Sequence, residues 1–181
     1  MKTGVYWLKT GSEHGFSEAR LQKAAAMYLG VSGSDGRLFV KRDEGGRPYF
    51  PYAPGLHCSV SHSGGIWLCA LSRAPVGVDL QRRENSDCEK IARRFFHPDE
   101  VKFLEGNGFA DFFRLWAAKE SYVKYTGQGM LPGFDGFSAV NGGDIAECIG
   151  GARLRELPFL PDFSLFLCGG QGETDIFEFT E

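Results

Sequence analysis

No run of apolar residues in this chain of 181 approaches the length needed to cross a bilayer. Its opening residues, Met1-Lys2-Thr3-Gly4-Val5-Tyr6-Trp7-Leu8, lack the apolar stretch of a secretory signal. There is no block of like charge, and the formal net charge is only −3. That argues against a surface built for nucleic-acid phosphates. The five cysteines, Cys58, Cys69, Cys88, Cys148 and Cys168, include no C-x-x-C pair. An odd count with mostly apolar flanks excludes a disulfide framework and fits free thiols in a reducing compartment. No P-loop is present, since Gly142-Gly143 and Gly169-Gly170 lack a following lysine and serine and read as turns. A G-x-S-x-G elbow is also missing, and neighbours such as Ser61 and His62 on a strand point to opposite faces, so a nucleophilic triad is a poor reading. What remains is a soluble, cytoplasmic protein with neither membrane nor nucleic acid as partner.

What is there suffices for a core. Hydrophobic residues make up 43% of the chain, with 16 phenylalanines. Residues 5–8 read as an opening strand, and Leu21, Ala24, Ala25, Tyr28 and Leu29 share one face of a helix with Ser17 as N-cap and Gly30 beyond its end. Residues 30–56 are rich in Gly and Pro, with 38–40 as a brief strand. Strands are expected at 58–62, 66–71 and 76–80. Ser86 and Glu89 form a capping-box pattern that opens a helix through residues 91–95. Pro98 opens a short helix carrying Val101 and Leu104, and a longer helix runs from about 109 to 125, stopped by Gly127. Strands return at 163–168 and 176–179. The pattern of helix then strands thus occurs twice, with a boundary near residues 81–86.

Chemistry concentrates on the long helix. Trp116, Glu120 and Lys124 are spaced at i, i+4 and i+8, so they stack on one face. Read plainly, Glu120 and Lys124 form a helical salt bridge. A second carboxylate, Asp79 on the apolar strand, offers a sharper reading. A strand-borne Asp facing a helix-borne Glu can hold a divalent cation over a phosphate, with Lys124 neutralising charge beside it.

Five segments in order carry a family resemblance. They are Gly46-Arg47-Pro48-Tyr49, Ser59-Val60-Ser61-His62-Ser63-Gly64, Gly77-Val78-Asp79-Leu80-Gln81, Arg94-Phe95-Phe96-His97-Pro98-Asp99-Glu100, and Trp116-Ala117-Ala118-Lys119-Glu120-Ser121-Tyr122-Val123-Lys124. The last two match the types R-F-F-x-x-x-E and W-x-x-K-E-[SA]-x-x-K. In these the chain resembles a 4'-phosphopantetheinyl transferase of the broad-specificity kind. The resemblance implies an α+β fold of two similar halves related by a pseudo-twofold, with mostly antiparallel short sheets each packed with helices. The halves would be residues 1–81 and 82–181, with the active site in the cleft between them.

The activity implied is transfer of the phosphopantetheine arm of coenzyme A to a serine of an apo acyl or peptidyl carrier protein, with 3',5'-ADP leaving. Mg²⁺ would be held by Asp79 and Glu120, with Gln81 at the position where broad-specificity members generally carry a third carboxylate. Glu120, Lys124 and His62 would be catalytic. Arg20, Arg47, Pro48, Ser61, His62, Lys119 and Lys124 would contact coenzyme A. Lys119 lies about 100° from Glu120 around the helix, so its role is the less direct. Arg82, Arg83, Arg93 and Arg94 are candidates for steering an acidic carrier, with Phe112, Phe113 and Met130 as an apolar landing surface. Two linked halves already supply both walls of a cleft, which favours a monomer. The alternative is a degenerate, non-catalytic module that binds coenzyme A or a carrier, and Gln81 is its positive support. A structural interaction protein and a metal phosphohydrolase are further alternatives.

Overall fold

A computed structural model describes residues 2–11, 17–127, 133–170 and 172–180. In chain order the elements are β1 (Thr3–Lys9), α1 (Glu18–Leu29), β2 (Lys41–Arg42), β3 (Pro48–Tyr49), β4 (His57–Ser63), β5 (Ile66–Ser72) and β6 (Val76–Arg82). There follow α2 (Cys88–Phe95), α3 (Pro98–Gly106), α4 (Phe112–Thr126), β7 (Val140–Asn141), β8 (Asp144–Ile145), β9 (Cys148–Ile149), β10 (Ala152–Leu157), β11 (Phe163–Gly169) and β12 (Thr174–Glu178). The fold is α+β. Two four-stranded sheets, in the orders β12-β1-β5-β4 and β6-β11-β10-β9, carry it. All their pairings are antiparallel except β1 with β12.

Strand alternation builds four layers. On β1 and β5, Tyr6, Leu8, Trp67, Cys69 and Leu71 face α1 and meet its Leu21, Ala24 and Ala25. Their neighbours Val5, Trp7, Ile66, Leu68 and Ala70 face the other way, onto Val76, Val78, Leu80, Leu165 and Leu167 of the second sheet. On the outer side of that sheet, Phe166 and Cys168 pack against Leu115 and Ala118 of α4, joined by Phe96 and Phe112. The order is therefore α1, first sheet, second sheet, α4. Because Val78 and Leu80 point into the central layer, the period of two turns Gly77, Asp79 and Gln81 toward α4.

The sheets do not divide where the sequence pattern does. Strand β6, placed at the end of the first half, is hydrogen-bonded to β11 in the second sheet. Strand β12 returns to pair with β1 in the first sheet. A cut at residue 81 falls within β6. Which sheet a strand joins depends on partners far along the chain, which local pattern does not carry.

Helix ends follow local chemistry. Ser17 caps α1 by accepting from the Arg20 N–H, and Gly30 closes it at φ 65°. The cap of α2 is Asp87 rather than the expected Ser86; its carboxylate accepts from the Lys90 N–H, while the Ser86 hydroxyl sits against the Cys88 thiol. Pro98 opens α3 as expected, and His97 and Glu100 form its reciprocal cap. Helix α4 starts at Phe112 because Phe109 takes a left-handed φ of 62°, which no helix continues through. Residues 38–40 do not form a strand; Gly36–Leu38 is a 3₁₀ turn capped by the Asp35 carboxylate. Three cysteines, Cys58, Cys69 and Cys168, are buried free thiols, whereas Cys148 is exposed. No helix among the described residues is long and apolar enough to cross a membrane.

Candidate active site

The site forms where α4 lies across β6. Gly77 permits that approach, because a Cβ there would overlap the Ser121 carbonyl oxygen and the Tyr125 backbone nitrogen. Two residues further on, Asp79 is only 2% exposed and points at the helix. Lys124 Nζ donates to Asp79 Oδ1 at 2.6 Å, so the lysine pairs across to the strand and not along its own helix with Glu120. Ser61 Oγ donates to the same oxygen at 2.8 Å, and Gln81 Nε2 donates to Asp79 Oδ2 at 2.8 Å. Three donors from three elements hold this carboxylate.

Glu120 sits beside it, 5% exposed, and its Oε1 is buried without a hydrogen-bond partner. Burial first, and then the Asp79 charge, push its carboxyl up to about 7, against the opposing pull of Lys124. An unfolded-state value near 4.5 then implies that Glu120 contributes fully to folding below that pH. The contribution is lost as pH rises through about 7. Glu120→Gln is therefore expected to raise the stability of the protein in EDTA at pH 8, by up to ~3 kcal/mol, and to change little at pH 4.5. Thermal unfolding at the two pH values checks this, and equal shifts at both would contradict it.

No group of three or more His, Cys, Asp or Glu suited to a metal is present among the described residues. The donor set nevertheless fits a hard divalent cation that keeps several waters. It combines two neighbouring carboxylates, one with an unused buried oxygen, and the amide of Gln81, whose carbonyl can serve as a neutral third ligand.

The other expected site residues divide. Lys119 is fully buried and cannot reach a coenzyme phosphate from this position. Its Nζ donates to Glu100 Oε1 and to the Phe137 carbonyl, each at 2.8 Å, and lies 3.9 Å from the centre of the Phe137 ring. The reason is geometric: one residue from Glu120, it points into the aromatic core instead of along the Glu120–Lys124 stripe. Ser61, expected at the coenzyme, is 4% exposed and turned to Asp79. His62, next on β4, is exposed on the opposite face.

Arg47 and Pro48 belong to the β2–β3 hairpin that packs near β4. They line an open cavity of about 550 Å³ together with His57 and Tyr49. This cavity does not include the carboxylates. The Arg47 guanidinium also approaches the C-terminal end of α4; a Cβ on Gly127 would lie 2.7 Å from its Nη1. A helix C-terminus favours that positive charge. Arg20 lies in the first turn of α1, partly buried.

Of the docking candidates, Arg82 and Arg83 are exposed. Arg93 is engaged by Glu89 and Glu105, and Arg94 lies over the Phe95 ring. Phe112 is buried in an aromatic cluster with Phe96 and Trp116, and Met130 falls outside the described residues. Sequence reasoning missed Glu100 as a supporting residue, although the R-F-F-x-x-x-E segment displayed it.

Residues 75–162 match the family model for the 4'-phosphopantetheinyl transferase superfamily, a stretch that holds Asp79, Glu100, Lys119, Glu120 and Lys124. That stretch, just under half of the chain, is similar to that superfamily. Across 122 residues the chain is 36% identical to a 4'-phosphopantetheinyl transferase of Bacillus subtilis, covering 65% of this chain and 53% of that protein. It is 37% identical over 97 residues to the transferase gsp of Aneurinibacillus migulanus, covering 51% and 40% of the two chains. It is 35% identical over 99 residues to the transferase Sfp of Bacillus subtilis strain 168, covering 52% and 44%. The chain thus spans about half the length of the curated relatives it matches.

Proposed function

We propose that this protein is an enzyme that transfers the 4'-phosphopantetheine arm of coenzyme A to a serine hydroxyl of an apo acyl or peptidyl carrier protein, releasing 3',5'-ADP. The observation that carries the reading is the Asp79–Glu120–Lys124 arrangement across β6 and α4, with Lys124 Nζ 2.6 Å from Asp79. Asp79 and Glu120, with the Gln81 carbonyl, would hold Mg²⁺. When bound, the ion neutralises pyrophosphate charge.

The chain's own residues supply the rest. Glu120, which has a buried carboxylate oxygen without a hydrogen-bond partner, accepts the proton from the carrier serine as its oxygen attacks the β-phosphorus. Lys124 is 29% exposed at its side chain, so it can turn from Asp79 to the departing phosphate oxygen and stabilise the charge that develops there. Arg47, in the hairpin beside β4, and His62, exposed on β4, would meet the coenzyme's other phosphates and adenosine end. Arg82 and Arg83 would meet an acidic carrier. The free thiols support a cytoplasmic setting, and the paired sheets support a monomer.

Intact-mass measurement of apo carriers incubated with the protein, coenzyme A and Mg²⁺ tests this. The wild type is expected to add one phosphopantetheine, and Glu120→Ala to lose at least ~10³-fold in rate. Coenzyme A binding with no mass gain on any carrier would favour the non-catalytic module, for which Gln81 is the argument.

A further inference from the structure

We propose that Ser61 is a positioning residue that fixes the Asp79 carboxylate for catalysis across the junction of the two sheets, and is not a contact to the coenzyme. This rests on the reading of Asp79 as the principal ligand for the cation. The two sheets meet at their edge strands β4 and β6, which share no backbone ladder. Serine side chains replace it. Ser59 Oγ accepts from the Val78 N–H at 3.0 Å, Ser61 Oγ from Leu80 at 3.2 Å, and Ser63 Oγ from Arg82 at 2.9 Å. The period of two on both strands puts all three hydroxyls on one face of β4.

A serine hydroxyl that accepts one bond still has its own proton to donate. Among the described residues only Ser61 of these three spends it on a carboxylate, Asp79 Oδ1 at 2.8 Å. With the hydroxyl accepting from Leu80 and 4% exposed, its proton has a fixed direction. Asp79 has two further donors, but each has another task. Lys124 leaves when a phosphate arrives, and Gln81 must rotate its amide to offer an oxygen to a cation. Ser61 is the donor with no such competing role. It therefore holds one Asp79 oxygen in place while the other binds, as hydrogen-bond partners of ligating carboxylates do.

The neighbouring serine is an internal control. Ser59→Ala removes the same kind of bond between the strands but touches no carboxylate. Mn²⁺ binding to the protein–coenzyme A complex, followed by electron paramagnetic resonance, separates the two. Both alanine variants are expected to melt a few degrees lower, Ser59→Ala by roughly the loss of one hydrogen bond and Ser61→Ala by that of two. Only Ser61→Ala is expected to weaken Mn²⁺ binding, by about 10-fold or more, and to raise the Mg²⁺ concentration for half-maximal transfer more than it lowers kcat. Coenzyme A affinity without metal should not change. Ser61→Cys, which keeps the volume with a weak donor, should fall between and serves if the alanine variant does not fold.

Equal Mn²⁺ affinities for Ser61→Ala and Ser59→Ala would overturn the proposal, as would loss of coenzyme A affinity in Ser61→Ala alone. Asp79→Asn binding Mn²⁺ like wild type would instead refute the reading of Asp79, and the Ser61 proposal with it. Asp79→Asn weakened with Ser61→Ala unaffected refutes Ser61 only.

Discussion

Gly77→Ala is expected to lower stability by about 3 kcal/mol, a fall in melting temperature of roughly 6–12 °C, and to abolish transfer. The added methyl would overlap the Ser121 carbonyl oxygen and the Tyr125 amide nitrogen, and would lie 2.9 Å from Tyr125 Cα. All three are backbone atoms of α4, so no side-chain rotation relieves the contact. The helix must move off β6. Glu120 is adjacent to Ser121, and Lys124 to Tyr125, so the same movement carries both away from Asp79. Stability and chemistry should therefore fail together, whereas Asp79→Asn should remove chemistry and leave the fold. A melting temperature within about 2 °C of wild type in Gly77→Ala would mean that α4 does not rest on this glycine.

Lys119→Met is expected to destabilise the protein by about 3–5 kcal/mol although the residue touches no solvent and, by this structure, no substrate. Lys119 and Glu100 are both fully buried and paired at 2.8 Å. Burial pulls the lysine below its usual range, and Glu100 opposes that. Removing the cation leaves Glu100 buried with only two backbone donors, the N–H groups of His97 and Ala139, at 2.9 and 2.7 Å. Adding Glu100→Gln removes the stranded charge, so the double variant should be more stable than the sum of the two single losses. Denaturant unfolding of the four proteins measures this coupling, and strict additivity would count against it. The pair ties α3, α4 and residues 137–139 together, which keeps the Glu120-bearing helix from sliding.

Much of this site was legible because its chemistry is local. Spacing at i and i+4 put Glu120 and Lys124 on one face, and strand alternation put Asp79 and Gln81 on another; the fold had only to bring those faces together. What escaped was decided by distant partners. Lys124 prefers Asp79 to the carboxylate one turn away, and no helical rule reveals that. Lys119 looks like a surface lysine in a polar motif until Glu100, nineteen positions earlier, supplies its counter-charge. Ser61, in the strand expected at 58–62, reads as a contact to the coenzyme. In fact Ser59 and Ser61 are buried, because a neighbouring strand's amide groups consume their hydroxyls. Strand β10 was missed because Arg153, Arg155 and Glu156 interrupt its apolar residues.

The return of β12 to β1 has a consequence for synthesis. As the polypeptide leaves the ribosome, β1, β4 and β5 can assemble early, yet the far edge of β1 stays open until residues 174–178 emerge. That edge offers Val5 and Trp7 and an unpaired row of amides to any other extended segment nearby. The pairings of β6 and β10 with β11 wait as well, since β6 has no backbone partner until β11 is made. Folding of the first sheet is thus held back until β12 has been made, and the sheet that β1 begins depends on β12 to close it.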